Sequence, residues 1–131
     1  MNKHYLPALL WLIFVTVLSV TPGVPLPKFD LLSPDKLGHA VAYGVLAWLF
    51  LWGYTRTSGR RVGWKEALVV FLLTSCYGVL MELVQGFLIP GRFYEIDDML
   101  ANAIGAAIAW LANRIQSAAL GRAGNRKSNQ S

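Results

Sequence analysis

Four apolar stretches, separated by short polar or Pro- and Gly-containing segments, dominate the pattern along the chain. They cover residues 5–20, 37–54, 67–89 and 96–112. An α-helix needs about 20 apolar residues to cross the hydrocarbon core of a bilayer, so the third stretch is comfortably long, while the first and fourth are marginal alone. No stretch shows the alternation over about ten residues that a membrane β-barrel strand requires. The pattern predicts an all-α integral membrane bundle of four transmembrane helices.

Helix-breaking residues divide the chain. Thr21-Pro22-Gly23 ends the first stretch, and Pro90-Gly91 closes the third. Ser33 and Pro34 suit the N-cap and the first helical position of the second helix. We therefore expect three parts: residues 1–30, the first transmembrane helix and an outer Pro-rich loop; residues 31–115, a core of three transmembrane helices; and residues 116–131, a basic, disordered cytoplasmic tail.

The first apolar stretch has an alternative interpretation. Met1-Asn2-Lys3 followed by an apolar run is also typical of a cleaved signal peptide. No Ala-x-Ala-like cleavage site follows, however, and Pro22-Gly23 stands where cleavage would be expected. These two observations favour a retained helix.

Composition excludes several other classes of protein. Of the 131 residues, 55% are hydrophobic and only 15% are charged, whereas soluble domains are about a quarter charged. This excludes intrinsic disorder of the whole chain and makes an ordinary soluble domain untenable. The net charge of +5 arises from basic residues between and after the apolar stretches, an arrangement that favours anionic lipid headgroups over nucleic acid. The single Cys76 excludes an internal disulfide and a multi-cysteine metal site.

The basic residues also predict an orientation. With four helices, one side of the membrane would hold Lys3, Arg56, Arg60, Arg61, Lys65, Arg114, Arg122, Arg126 and Lys127. The other side would hold only Lys28, Lys36 and Arg92. Because basic residues concentrate on the cytoplasmic face, both termini are predicted to be cytoplasmic, in a multi-pass protein of the bacterial inner membrane.

Glu82 is the polar residue hardest to explain by packing alone. It lies within the third apolar stretch, about 10 Å from the outer end of that helix. An ionised residue at a helix centre costs about 2.5–3.5 kcal/mol, and such residues normally face a partner inside the bundle. Gly78 and Gln85 share its helix face. A polar packing contact is the alternative, but we favour a functional site.

The second helix presents a matching polar face at its outer end. Asp35 and His39 are spaced i,i+4, and Lys36, His39 and Tyr43 follow i, i+3, i+7. Asp35 would orient the His39 ring. For Lys36, snorkelling to the membrane interface is an equal alternative.

The fourth helix completes the predicted set. Asp98 and Asn102 share a face with Gly105, while Arg92 follows a Pro-Gly turn and offers a fork suited to a carboxylate or phosphate. Gly105 itself, with Ala101 and Ala109, is better explained by close helix packing.

Three helices are thus predicted to converge on an outward-facing polar pocket. Its candidate catalytic residues are Glu82, His39 and Asp35. Its candidate binding residues are Lys36, Tyr43, Gln85, Arg92, Asp97, Asp98 and Asn102. A divalent metal held by His39, Glu82 and Asp98 is chemically reasonable, but nothing in the spacing requires it, and no metal or cofactor is predicted.

These residues also carry a resemblance to the VanZ-like family. Its pattern is matched by Asp35-Lys36-x-x-His39-x-x-x-Tyr43, by Glu82-x-x-Gln85 with Pro90-Gly91-Arg92, and by Asp98-x-x-x-Asn102-x-x-Gly105. Each motif is weak alone, but three in this order are specific. The resemblance covers about residues 30–110. It implies a role in cell-envelope chemistry, because the family's namesake is linked to resistance to teicoplanin, a lipoglycopeptide antibiotic.

Three functional hypotheses follow. The first is a VanZ-like protein that modifies or shields an envelope component, with membrane lipids and a lipid-linked precursor or lipoglycopeptide as partners. The second is an intramembrane enzyme acting on a lipid headgroup, with Glu82 as general base and His39 as acid or base. The third, a proton- or cation-coupled carrier, is disfavoured because the inner halves of the helices are apolar. Whether the protein is an enzyme, and its oligomeric state, stay open.

Overall fold

The structure, a computed structural model, describes residues 2–21, 34–90 and 95–128. A 3₁₀ turn at Lys3–Tyr5 precedes four α-helices: α1 Leu6–Val20, α2 Pro34–Ser58, α3 Trp64–Leu88 and α4 Ile96–Ser128. Every regular element in these three ranges is helical, which confirms the all-α prediction there.

Within the three described ranges, three helical segments are long and apolar enough to cross a membrane. They are Lys3–Val20, Lys36–Ser58 and Trp64–Leu88. Helix α4 is not among them, since its apolar stretch contains Asp97, Asp98 and Asn102 and is followed by Asn113. Many large apolar side chains stay exposed on the bundle surface, among them Ile13, Leu73 and Ile108, as expected for helices in contact with lipid.

Local chemistry explains the helix ends. Pro7 lies in the first turn of α1, where the missing N–H costs nothing. Gly59 follows α2 with a φ of 65°, in the left-handed region that favours glycine, and its N–H donates to the carbonyl of Thr55. The short connection at residues 59–63 makes α2 and α3 antiparallel neighbours.

Among the described helices, α2 and α4 pack together most extensively. A Cβ atom added at Gly105 would lie 2.8 Å from the carbonyl carbon of Ala40 and would overlap its oxygen. Gly44 faces the same spot, since a Cβ there would lie 3.1 Å from the Gly105 oxygen. Ala101 and Ala109 are buried beside this contact, which confirms the predicted packing role of the small residues in α4.

Helix α1 packs against α2 and α3 around one apolar cluster. Val15, Tyr43 and Leu46 form its buried centre. The Trp11 indole N–H donates to the carbonyl of Ala42 over 2.8 Å and so fixes α1 on α2. A second cluster, Ala47, Ala106 and Ala109, lies farther along α2 and α4.

The end of α4 differs from the prediction. The sequence pattern places the end of the fourth helix near residue 112 and predicts a disordered tail from residue 116, but the α4 backbone is helical to Ser128. Residues 114–120 are mostly good helix formers. The prediction ended the helix too early because it followed the end of the apolar stretch and not helix propensity.

The close contact predicts the effect of adding a single methyl group. Gly105→Ala should lower the stability of the protein in detergent by about 1–3 kcal/mol, because the new Cβ meets backbone that has no flexible end to move aside. Thermal unfolding followed by helical circular dichroism measures this. Gly38→Ala is the control, since a Cβ at Gly38 meets nothing within 4 Å, and an equal loss in both variants would contradict the prediction.

Candidate functional site

Four polar side chains meet where α2 and α4 begin and α3 ends. His39 comes from α2, Glu82 from α3, and Asp98 and Asn102 from the first turns of α4; we call these four residues the polar cluster. Glu82 and Asn102 are each 1% exposed and Asp98 is 4% exposed, while His39 is half-buried. The three helices predicted to converge do so.

His39 lies at the centre of the polar cluster. Its Nδ1 is 3.1 Å from Oδ1 of Asn102 and 3.7 Å from Oε1 of Glu82. Its Nε2 is 3.8 Å from Oδ2 of Asp98. Each ring nitrogen therefore faces one of the two carboxylates.

Gly78 permits this geometry. A Cβ at Gly78 would lie 2.6 Å from Nδ2 of Asn102 and 3.0 Å from its Cβ, so α4 approaches α3 only over a residue without a side chain. Gly78 lies one helical turn from Glu82 in α3, and Asn102 lies one turn from Asp98 in α4. The same close contact thus brings both carboxylates to His39.

A charged rim borders the polar cluster. Lys36 Nζ lies 3.6 Å from Oδ2 of Asp97 and 4.0 Å from Oε2 of Glu95. The backbone N–H of Glu95 donates to Oε2 of Glu82 over 3.3 Å. Glu95 was not among the predicted site residues, because an acid before the first turn of a helix is already explained by the helix dipole. Its backbone contact has no signal in the sequence.

Two predicted binding residues serve as supports. Gln85 is buried, and its Nε2 donates to the backbone carbonyl of Ser19 in α1 over 2.9 Å. The Tyr43 ring is buried and nearly parallel to that of His39, with ring centres 6.5 Å apart, and it also contacts the Tyr77 ring. Gln85 therefore holds α3 on α1, and Tyr43 connects His39 to the apolar core.

Two further predicted site residues concern parts of the chain outside the described residues. Arg92 lies outside the described residues, as does the side chain of Asp35, although the backbone of Asp35 belongs to the first turn of α2. The expected contact between Asp35 and His39 and the expected anion-binding fork of Arg92 stay predictions.

An apolar cavity of about 220 Å³ lies between α1, α2 and α3, on the side of Tyr43 away from His39. Its lining residues are Leu12, Leu46, Phe50, Val70, Leu73, Thr74 and Tyr77. Tyr77 connects the cavity to the polar cluster, because its ring centre lies 6.2 Å from that of Tyr43. Its hydroxyl is hydrogen-bonded to Thr16 of α1.

Most of the chain matches a known protein family. Residues 10–116 match the VanZ/LLP1 family, a range that contains the whole polar cluster and the cavity. The chain belongs to the VanZ/LLP1 family. No curated protein and no solved structure matched this sequence. Together with three helices able to cross a bilayer, the family membership makes this a VanZ-like membrane protein.

The polar cluster has three chemical capabilities. Two carboxylates and an imidazole can exchange a proton, since each ring nitrogen of His39 lies near a carboxylate oxygen, at 3.7 Å for Glu82 and 3.8 Å for Asp98. The same atoms can hold a cation. In addition, Nδ2 of the buried Asn102 has no hydrogen-bond partner among the described residues, so it can donate to an oxygen atom of a ligand.

The placement of Gln85 predicts a stability effect. Gln85→Leu should destabilise the protein by about 1–3 kcal/mol, because the amide donor to the Ser19 carbonyl is lost where α1 meets α3. Thermal unfolding in detergent measures the loss, and limited proteolysis of α1 reports where the structure loosens. Leu88→Met, in the same helix at 73% exposure, is the control; unchanged stability of Gln85→Leu would contradict the supporting role.

Proposed function

We propose that this VanZ-like protein crosses the bacterial inner membrane four times, with both termini in the cytoplasm, and engages the polar group of an amphipathic envelope component at the outward-facing polar cluster. The observation that carries the proposal is the convergence of three helices on half-buried His39 and on buried Glu82, Asp98 and Asn102. Buried ionisable residues within membrane helices mark functional sites by default.

The orientation is supported by charge. Four basic residues lie where α2 ends and α3 begins, at the opposite end of the bundle from the polar cluster: Arg56 in α2, Arg60 and Arg61 in the connection, and Lys65 in α3. A basic excess at that end is typical of the cytoplasmic side. The polar cluster then faces outward.

A fourth crossing is supported by the way α4 follows α2. Gly105 contacts α2 at Ala40, and Ala106 and Ala109 pack beside Ala47 farther along the same helix. Because α2 is long enough to cross the bilayer and α4 runs beside it in the same direction, α4 would cross with it. Protein contacts rather than lipid would then cover its alanine-rich face.

The neighbouring cavity favours an amphipathic ligand. Lipoglycopeptides and lipid-linked precursors both combine a polar, oxygen-rich group with a hydrocarbon chain. The polar group would meet Asn102 and the rim at Lys36, while part of the chain would occupy the apolar cavity beyond Tyr43. A cavity of roughly 150 Å³ already takes up benzene, so 220 Å³ is enough for a short length of chain.

An enzyme acting on a lipid headgroup is the second candidate. The observation that favours it is the position of His39, with one ring nitrogen facing each carboxylate, an arrangement suited to general acid–base catalysis. A coupled carrier has less support, because the apolar cluster of Ala47, Ala106 and Ala109 packs with Val70 and Phe71 on the inner side of the polar cluster.

A susceptibility assay tests the proposed function. Expressed in a susceptible Gram-positive host, the wild type should raise the inhibitory concentration of teicoplanin above that of the empty vector, and Glu82→Gln should abolish the increase because it removes a buried ionisable group from the polar cluster. Glu66→Gln is the matched control: it makes the same change at the other end of α3, where the new amide oxygen can still accept from Tyr54. Immunoblots of membranes equalise protein amounts.

The outcomes separate the two candidates. Equal protection by wild type and Glu82→Gln would exclude the polar cluster from the function. No protection by either protein would overturn the resistance role, and turnover of a labelled lipid by the purified protein would then test the enzyme.

The proposed topology has its own test. Alkaline phosphatase is active only outside the cytoplasm, so a fusion after Pro90 should be active and a fusion after Ser131 inactive; fluorescent-protein fusions at the same points should show the reverse. Activity at both positions would mean that α4 does not cross the membrane, and activity at Ser131 alone would invert the orientation.

A further inference from the structure

The polar cluster carries the donor set of a metal site. His39, Glu82 and Asp98 come from three different helices, and one ligand atom of each lies within 4.8 Å of the other two. An imidazole nitrogen with two carboxylates suits Zn²⁺ and similar first-row ions, whereas Mg²⁺ and Ca²⁺ prefer oxygen ligands. We propose that these three side chains bind one divalent transition-metal ion of the Zn²⁺ class.

The distances allow this with small movements. Three atoms at the corners of a triangle with 4.8 Å sides lie about 2.8 Å from its centre. Zn²⁺ binds imidazole and carboxylate ligands at about 2.0–2.2 Å, so side-chain shifts of about 0.6–0.8 Å would complete the coordination. Three protein ligands leave the fourth position of a tetrahedral ion open to water or an oxygen atom of a ligand.

Asn102 selects the tautomer of His39 that can bind a metal ion. With Oδ1 of Asn102 accepting over 3.1 Å, Nδ1 of His39 carries the proton. Nε2 is then the nitrogen that offers a lone pair, and it faces Asp98 at 3.8 Å. Glu82 lies 3.7 Å from Nδ1, so its carboxylate would turn toward Nε2 when the ion binds. Histidines that bind metal typically donate their other N–H to a carbonyl or carboxylate in this way. The buried position of Asn102, packed on Gly78, holds this arrangement in place.

Charge supports a divalent ion over a proton. Glu82 and Asp98 together carry two negative charges when ionised, and both are buried. A protonated His39 offsets one of these charges, whereas a divalent ion beside a neutral His39 offsets both. Spacing along the chain does not require a metal; the folded distances bring its ligands together.

The inference deepens the proposed function, on which the biological use of the ion rests. An open coordination position at the outward end of the bundle would bind a phosphate or carboxylate oxygen of the envelope component. Binding of the metal itself is a property of the three side chains and can be measured without any envelope component.

The test uses the full chain purified in detergent, with an affinity tag that contains no histidine. After treatment with a chelator and its removal, Zn²⁺ is titrated by calorimetry, and bound metal is measured by mass spectrometry of the elements. We expect one Zn²⁺ per chain, a melting temperature that rises with Zn²⁺ concentration, and no such rise with Mg²⁺. Bound Co²⁺ should show the visible absorption of a tetrahedral site.

Variants assign the ion to the polar cluster. Asp98→Asn and Glu82→Gln should each lose the stoichiometric ion, whereas Glu66→Gln should keep it, because Glu66 lies at the opposite end of α3. Asn102→Leu should weaken Zn²⁺ binding about 10–100-fold while leaving the three ligands in the chain. Helical circular dichroism identifies any variant that fails to fold. If a variant does not fold, the Zn²⁺ titration of the wild type alone tests whether the site exists.

The outcomes are distinct. Wild type that binds no Zn²⁺ or Co²⁺ overturns the metal site and leaves a proton between His39 and the carboxylates. Binding that persists equally in Asp98→Asn and Glu82→Gln also overturns it, since the ion would lie elsewhere. Stoichiometric binding lost in these variants supports the site even where teicoplanin susceptibility does not change, a result that would overturn only the proposed function.

Discussion

The contact between Gly105 and Ala40 sets the separation of α2 and α4, and the polar cluster depends on that separation. His39 directly precedes Ala40 in α2, and Asn102 lies one turn before Gly105 in α4. A residue with a Cβ at position 105 would push the helices apart at the level where the imidazole must reach Asn102 and Asp98. Gly78 sets the distance from α3 in the same way, so two glycines without a chemical role determine whether the site exists.

Burial imposes the second constraint. Two carboxylates held away from water in a membrane bundle are costly unless hydrogen bonds and positive charge compensate them. Glu82 accepts from the backbone N–H of Glu95 and faces His39, while Lys36 is occupied at the rim by Glu95 and Asp97. The groups that stabilise Glu82, namely the Glu95 N–H and His39, lie beside the rim where a ligand would enter. Binding of a ligand there would therefore change the stability of this end of the bundle.

The residues of the polar cluster can be predicted from the sequence more readily than the contacts that hold them in place. Glu82, His39, Asp98 and Asn102 stand out because polar residues within apolar helices need partners, and helical spacing shows which faces they share. The role of Gln85 could not be predicted, since its partner is a backbone carbonyl in α1, 66 positions away. The contact of the Glu95 N–H with Glu82 is hidden for the same reason: every residue except proline has an N–H, so the sequence does not mark the one that is used. The length of α4 escaped prediction because helix propensity without an apolar face resembles a polar tail.

The negative charge of the polar cluster determines whether an anionic ligand can bind there without a metal ion. A phosphate or carboxylate approaching the polar cluster meets Glu82 and Asp98, whose charges would repel it. Lys36 is already paired with acids, so it reduces this repulsion only at the rim. A divalent ion held by His39, Glu82 and Asp98 would cancel these charges and give an anionic group a direct ligand position. An anionic envelope component and a metal in this site therefore support one another, whereas a site compensated only by a proton on His39 would favour neutral, hydroxyl-rich groups instead.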